Sequence, residues 1–102
     1  MAFNGTEGGE ITLAAGAAMT AEYRNQNPNE RKGHFFGKDI LNEILDQEGC
    51  VGIRMYYGIN SDEERELVLV GVDANENDMT ELVVDLSCPC PNRCGTENKL
   101  NS

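Results

Sequence analysis

The sequence is poor in several residue types that would mark a functional class. It has no tryptophan, one histidine, three prolines, three tyrosines and three phenylalanines in 102 residues. No apolar run approaches the roughly 20 residues that a membrane-spanning helix needs, so no membrane insertion is predicted. Basic residues are also scarce, because 8 Lys and Arg stand against 18 Asp and Glu and give a net charge of −10. This charge argues against nucleic-acid binding, which needs a basic surface.

The N-terminal segment lacks the features of a secretory signal. No Lys or Arg precedes Arg24, and no apolar h-region of the kind found in signal peptides is present. A cytoplasmic location is therefore expected, although export by a dedicated machinery stays open.

The length and the apolar pattern predict one α+β domain over residues 11–87. Residues 1–10 are rich in glycine and polar side chains, which indicates an arm that is flexible or bound to a partner. Residues 12–26 favour a helix capped by Thr12. Residues 35–48 have the spacing of an amphipathic helix. Its apolar stripe consists of Phe36, Ile40, Leu41, Ile44 and Leu45.

Three strands are predicted in the second half of the chain. In residues 51–57 the side chains of Val51, Ile53, Met55 and Tyr57 alternate with the others. Residues 65–73 are apolar on both faces, and residues 80–86 place Leu82, Val84 and Leu86 on one face. The short connections favour an antiparallel meander with both helices packed on it. Residues 88–102 are predicted to be an irregular Cys/Pro-rich tail.

Four segments together resemble a known group of sequences. They are HFFGKDILNEIL, CVGIRMYYGI, LVLVGVDANENDM and a Cys/Pro tail that ends in LNS. They are similar to a family of short uncharacterised bacterial proteins, over most of residues 11–102. The resemblance implies a small, free-standing bacterial protein, and it implies no activity and no site residues.

The chain has four cysteines, Cys50, Cys88, Cys90 and Cys94. In a reducing compartment they are expected to be thiols or metal ligands, whereas outside it they allow two disulfides in three connectivities. The C-x-C-x3-C spacing lacks the paired C-x2-C of a zinc ribbon. No cofactor is therefore predicted, and zinc on these cysteines with His34 is the alternative. Under oxidation a bridge from Cys50 to the tail is expected. A metal-binding or redox module is the second functional hypothesis.

Two other patterns are interpreted with their alternatives. Asp73, Asn75 and Asn77 match the first ligand positions of an EF-hand loop, but Asp78 stands where that loop needs glycine and Val84 where it needs glutamate. A hairpin turn capped by its own side chains is predicted, and cation binding stays open. An enzyme is the third hypothesis, because the one histidine, His34, is the general base that a catalytic triad would need. No catalytic or cofactor-binding residue is predicted.

The first hypothesis is a non-enzymatic interaction or structural subunit. Residues 24–38 form a locally basic window, and residues 59–102 hold most of the acidic excess. Contacts between these segments in different copies would build a chain of subunits. The Val68, Val70 and Val72 face is expected to add apolar contacts. The predicted interface comprises Arg31, Lys32, Tyr56, Glu63 and Glu64, and a protein partner or a homo-oligomer is expected.

Overall fold

The computed structural model describes residues 2–102, in which two α-helices and five β-strands occur. In chain order they are α1 (Leu13–Gln26), β1 (Gly33–Phe35), α2 (Lys38–Leu45), β2 (Cys50–Ile59), β3 (Arg65–Asp73), β4 (Asp78–Val84) and β5 (Cys88–Cys90). The strands form two antiparallel sheets, one of order β2–β3–β4 and one of order β1–β5. The α+β class and the three-stranded antiparallel sheet are thus confirmed. Among the described residues no helix is both long and apolar enough to cross a membrane.

Helix α2 packs on one face of the three-stranded sheet and forms the core there. Ile44 of α2 and Leu69 of β3 are fully buried, and Val84 of β4 joins them. Four residues of the predicted stripe pack in or against this cluster: Phe36, Ile40, Leu41 and Ile44. Leu45 is more exposed, because it lies at the last position of a helix that begins at Lys38 and ends sooner than predicted.

Helix α1 forms where the sequence predicts it, and Thr12 caps it by accepting a hydrogen bond from Ala15 N–H at 3.1 Å. In the described part of the chain, none of its residues is buried. It lies against the C-terminal tail, where Arg24 donates to the carbonyl of Leu100 at 2.8 Å. The prediction that both helices pack on the sheet is corrected for α1. Its mostly alanine and polar residues offer no continuous apolar stripe.

The tail contributes a strand that was predicted to be irregular. Cys88–Cys90 pairs with Gly33–Phe35, so that His34 lies opposite Pro89. The N–H of Lys32 also donates to the carbonyl of Cys90 at 2.6 Å. The proline is tolerated because β5 lies at the edge of a two-stranded sheet. Residues 88–90 are therefore structured and tie the tail to the segment before α2.

The second face of the three-stranded sheet is partly covered within the chain. Val70 and Val72 are buried, and Arg54 lies opposite Val70 on the same face. The arm reaches this face, since Phe3 N–H donates to Ala74 O at 3.0 Å and the Phe3 ring lies 5.9 Å from the Arg54 guanidinium. The apolar contact surface predicted on Val68, Val70 and Val72 is therefore largely used inside the molecule.

The end of β4 differs from the predicted strand 80–86. The strand ends at Val84, and Leu86 has a φ of 63° and is 97% exposed. A left-handed residue cannot continue the extended backbone. The prediction that Leu86 shares the core face with Leu82 and Val84 is therefore wrong.

Candidate functional site

Strand β2 has one side without a partner strand, because it is the first strand in the order β2–β3–β4. Its pairing with β3 is continuous from Gly52 to Ile59. The ladder continues into the turn, where Asn60 N–H donates to Glu64 O at 2.9 Å. Hydrogen-bonded pairs alternate in an antiparallel ladder. Even-numbered residues of β2 thus bond to β3, and odd-numbered residues from 53 to 59 direct their backbone N–H and C=O groups to the unpaired side. We call residues 53–59 the open edge.

Three apolar side chains of the open edge are largely exposed. Met55 is 56%, Tyr57 95% and Ile59 69% exposed. They alternate along the strand and lie on the same face of the sheet as α2. The helix covers this face near Ile53, which packs against the core. An extended chain added to this edge would cover all three, since same-face neighbours of adjacent strands lie about 5 Å apart.

The open edge lacks the features that usually prevent edge-to-edge pairing. Such features are charged side chains, prolines and bulges. Residues 53–59 contain no proline, and the register irregularity of β2 lies earlier, between Cys50 and Gly52. Arg54 is the one charged residue, and it forms an ion pair with Asp78 at 2.6 Å on the opposite face. The edge strand β4 differs, because its register with β3 shifts between Val70 and Gly71.

Tyr56 points to the face opposite the exposed apolar side chains. Its hydroxyl donates to Asp78, which also pairs with Arg54. The hydrogen bond from Tyr56 and, next, the contact with Arg54 hold the pKa of Asp78 below its ordinary value. Tyr56 was predicted as an interface residue. It is 45% exposed, but its hydroxyl is engaged within the chain.

A groove of about 430 Å³ adjoins the open edge at Tyr57. It runs between β2 and the β1 segment, and its wall includes Tyr23, Lys32, His34 and Leu67. Tyr23 donates its hydroxyl to the carbonyl of Arg31 at 2.9 Å, and this bond fixes the linker at one side. Lys32 Nζ donates to the carbonyl of Asn101 at 2.8 Å. The groove is therefore a formed depression with mixed polar and apolar walls.

The charges predicted to meet between copies meet within one chain. Arg31 pairs with Glu64 at 3.0 Å and with Glu66 at 3.3 Å, and its side chain is only 20% exposed. The amide of Asn60 and, next, the guanidinium of Arg31 hold the pKa of Glu66 below its ordinary value. Arg31 and Glu64 are thus partners within one chain, and their place at an interface stays a prediction. Glu63 lies exposed in the β2–β3 turn, as an interface residue needs.

The four cysteines do not form one site. Cys90 and Cys94 form a disulfide with their Cα atoms 4.6 Å apart. Cys50 and Cys88 are half-buried thiols, and Cys50 Sγ donates to Gly52 O at 3.2 Å. The predicted bridge from Cys50 to the tail is not formed in this structure, where Cys90 pairs with Cys94 and both Cys50 and Cys88 are free.

Two of the expected zinc ligands, Cys90 and Cys94, are joined in this disulfide and are not free to bind a metal ion. Within residues 2–102 no group of three or more His, Cys, Asp or Glu side chains is placed to hold a metal ion. The zinc set of Cys88, Cys90, Cys94 and His34 is therefore not assembled in this structure.

The Asp73 loop is a hairpin turn, as predicted. Asp73 Oδ1 accepts hydrogen bonds from the N–H groups of Asn75 at 2.9 Å and Asn77 at 3.0 Å. The carboxylate thus caps its own loop, which is the interaction expected of a turn Asp.

His34 lies in β1 beside a serine that the sequence did not pair with it. Its Nδ1 is 2.8 Å from Ser87 Oγ. Among the described residues no carboxylate accepts a hydrogen bond from the ring. A base and a hydroxyl are thus together without a hydrogen-bonded orienting group, so the enzyme hypothesis stays a prediction.

Comparisons with known proteins do not assign this chain to a family. No protein-family model, no curated protein and no solved structure matches it. The resemblance to short bacterial proteins stays a prediction, and function has to be inferred from the geometry described above.

Proposed function

We propose that this protein is a non-enzymatic interaction module that binds a protein partner by adding a strand to the open edge. The observation that carries this proposal is the exposure of Met55, Tyr57 and Ile59 on a strand whose outward backbone groups have no partner strand. In strand addition the main chain supplies affinity and alternate side chains supply specificity. The open edge offers both along one face.

The expected complex is transient. Each new backbone hydrogen bond contributes about 0.5–1.5 kcal/mol net, and burying one large apolar side chain contributes about 1.5–3 kcal/mol. Association costs at least about 4 kcal/mol in lost freedom. A single added strand also buries less than the roughly 1,200 Å² of a stable interface. We therefore expect micromolar affinity, suited to reversible recognition.

A proline at position 57 tests this proposal. Tyr57→Pro removes an outward N–H and the most exposed ring while leaving the hydrogen bonds to β3 intact. Peptides selected from a random display library on the wild-type protein should shift the amide NMR signals of residues 53–59. They should lose binding to Tyr57→Pro and keep it to the control Leu86→Lys, which changes an equally exposed residue away from this edge. Selected peptides that bind both variants equally would refute strand addition here.

The location of the protein is a separate proposal. The cytoplasm and export by a dedicated machinery are the two alternatives. The Cys90–Cys94 disulfide supports export, because disulfides are rare in cytosolic proteins. Thiol titration of the protein taken directly from its native cells tests this, since a cytosolic protein should contain four thiols.

A further inference from the structure

Carboxylates lie beyond the end of the open edge that leads into the β2–β3 turn. Asp62 and Glu63 follow the edge there, and both are exposed. Within residues 2–102 neither of them forms an ion pair. The other end is bordered by the N-terminal arm, since a Cβ atom at Gly5 would lie 3.3 Å from Val51 O. An extended chain that follows the edge therefore meets uncompensated negative charge at the turn end.

The arginines near the open edge are already paired. Arg54 pairs with Asp78 on the opposite face, and Arg31 pairs with Glu64 and Glu66. Arg65 lies 3.6 Å from Glu30 and donates to Asn27. Lys32, in the adjoining groove, bonds to the neutral carbonyl of Asn101. Asp62 and Glu63 outnumber this one uncompensated cation, and the net charge of −10 adds to their field at long range.

A second copy is a poor occupant for this edge. Its own open edge contains one charged residue, Arg54, which is paired with Asp78 on the opposite face and so offers no cation to Asp62 and Glu63. Two chains of net charge −10 also repel each other.

We propose that the partner is an extended peptide segment with alternating apolar residues in its centre and Lys or Arg at the end that meets the β2–β3 turn. This inference rests on the proposed strand addition and adds the chemistry of the partner. The apolar centre should span about seven residues, since the open edge is that long and paired strands have equal rise per residue. Its side chains would cover Met55, Tyr57 and Ile59, and its basic end would lie near Asp62 and Glu63. Probes with Lys at both ends present a basic end to the turn in either strand direction.

Synthetic peptides with one strand-forming centre and different ends test this partner. The probes are KKVTVTVTVKK, SSVTVTVTVSS and EEVTVTVTVEE, with KKGSGSGSGKK as a basic peptide without strand propensity. Calorimetric titration into the wild-type protein should give at least tenfold tighter binding of the first peptide than of the third. This ratio should fall as the salt concentration rises, because the end charges are exposed.

Variants of the protein distinguish the contribution of Asp62 and Glu63 to peptide binding from the contribution of the open edge. Asp62→Asn combined with Glu63→Gln should reduce the preference for basic ends severalfold, and the control Glu97→Gln, in the tail, should leave it unchanged. Tyr57→Pro should abolish binding of all three peptides with the valine–threonine centre. Equal binding of KKGSGSGSGKK would mean that only net charge is recognised and would overturn the proposal.

The remaining outcomes distinguish failure of the basic partner from failure of strand addition. If the three strand-forming peptides bind equally and all lose binding to Tyr57→Pro, the basic partner is wrong and strand addition stands. Self-association that strengthens with salt and disappears in Tyr57→Pro would identify a second copy as the occupant. If no strand-forming peptide binds and the protein stays monomeric, both strand addition and the basic partner fail.

Discussion

Met55 and Leu69 lie directly opposite each other in the β2–β3 ladder, yet Leu69 is fully buried and Met55 is 56% exposed. Both side chains point to the face that carries α2. The helix therefore covers the central strand β3 and leaves the outer part of β2 uncovered. Leu69 therefore belongs to the core, whereas Met55 belongs to the exposed part of the open edge.

The two residues of this pair should differ in their effect on stability. Leu69→Ala should lower the free energy of unfolding by about 2–5 kcal/mol, because it leaves a cavity in the core. Met55→Ala should cost less than about 1 kcal/mol, since most of that side chain is already in water. Urea denaturation of both variants measures this. Equal losses would place Met55 in the core and remove the open edge.

Parts of the fold follow from local sequence patterns, and α2 is the clearest case. The spacing of Ile40, Leu41 and Ile44 specifies which face of the helix is buried, and these residues do pack in the core. By contrast, the strands GHF and CPC are three residues long and show no period. Their pairing joins residues more than fifty positions apart, so it depends on the closure of the whole chain.

The candidate site was missed because position in a sheet is not a property of a strand's own sequence. The sequence groups Met55 and Tyr57 with Ile53 in one alternating apolar set and does not show which of them is covered. The order of the meander puts this strand at an edge, where α2 reaches Ile53 but not Tyr57. The pairing of the cysteines could not be predicted from the sequence either, because spacing alone leaves several connectivities open.

The carboxyl group of Asp78 should make stability depend on pH at the acidic end. Its pKa is lower in the folded chain than in the unfolded one, through the hydrogen bond from Tyr56 and the contact with Arg54. Such a group stabilises the fold above its unfolded pKa, and this contribution is lost as the pH falls through the folded pKa. Asp78→Asn should therefore be less stable than wild type at pH 7 and approach it below about pH 4, the ordinary range of an aspartate.

Denaturation at several pH values tests the role of Asp78, with Asp62→Asn as the control. Asp62 is exposed and makes no ion pair within the described residues. Its variant should follow the wild-type profile throughout. A constant difference between wild type and Asp78→Asn at every pH would contradict the interaction.

Arg31 should contribute to the stability of the folded chain and not to association between copies. Arg31→Glu places a third carboxylate beside Glu64 and Glu66, in a position where the side chain is 20% exposed. The loss should be about 1.5–3 kcal/mol, the range for hydrogen bonds to charged groups. Lys32→Glu is the matched control, because its ammonium group bonds to the neutral carbonyl of Asn101. Thermal denaturation should show a smaller loss for Lys32→Glu, and similar losses would indicate that only net charge matters.

The disulfide should be local to the tail. Alkylation of the denatured, unreduced protein, followed by peptide mapping, should label Cys50 and Cys88 and leave Cys90 linked to Cys94. Opening this short loop should cost about 2 kcal/mol on the chain-entropy model. Because the loop lies next to the tail contacts of α1, reduction should also speed amide exchange near Arg24. A crosslinked peptide that contains Cys50 would show that the pairing is different.

Gly71 and Gly58, on neighbouring strands, should respond differently to substitution by alanine. A Cβ atom at Gly71 would lie 2.7 Å from Gln47 Nε2 and 2.9 Å from Cys50 Sγ, whereas at Gly58 the nearest atom would be 3.7 Å away. Gln47 is held by its own hydrogen bond to the carbonyl of Ile44 at 2.9 Å, so it cannot move aside freely. Gly71→Ala should therefore destabilise the fold by about 1–3 kcal/mol, the cost of overpacking. Gly58→Ala should change stability little, because its contacts are of ordinary length. Equal stability of the two variants would mean that the end of α2 does not lie on β3 at this point. It would contradict the placement of the helix that leaves Met55, Tyr57 and Ile59 exposed.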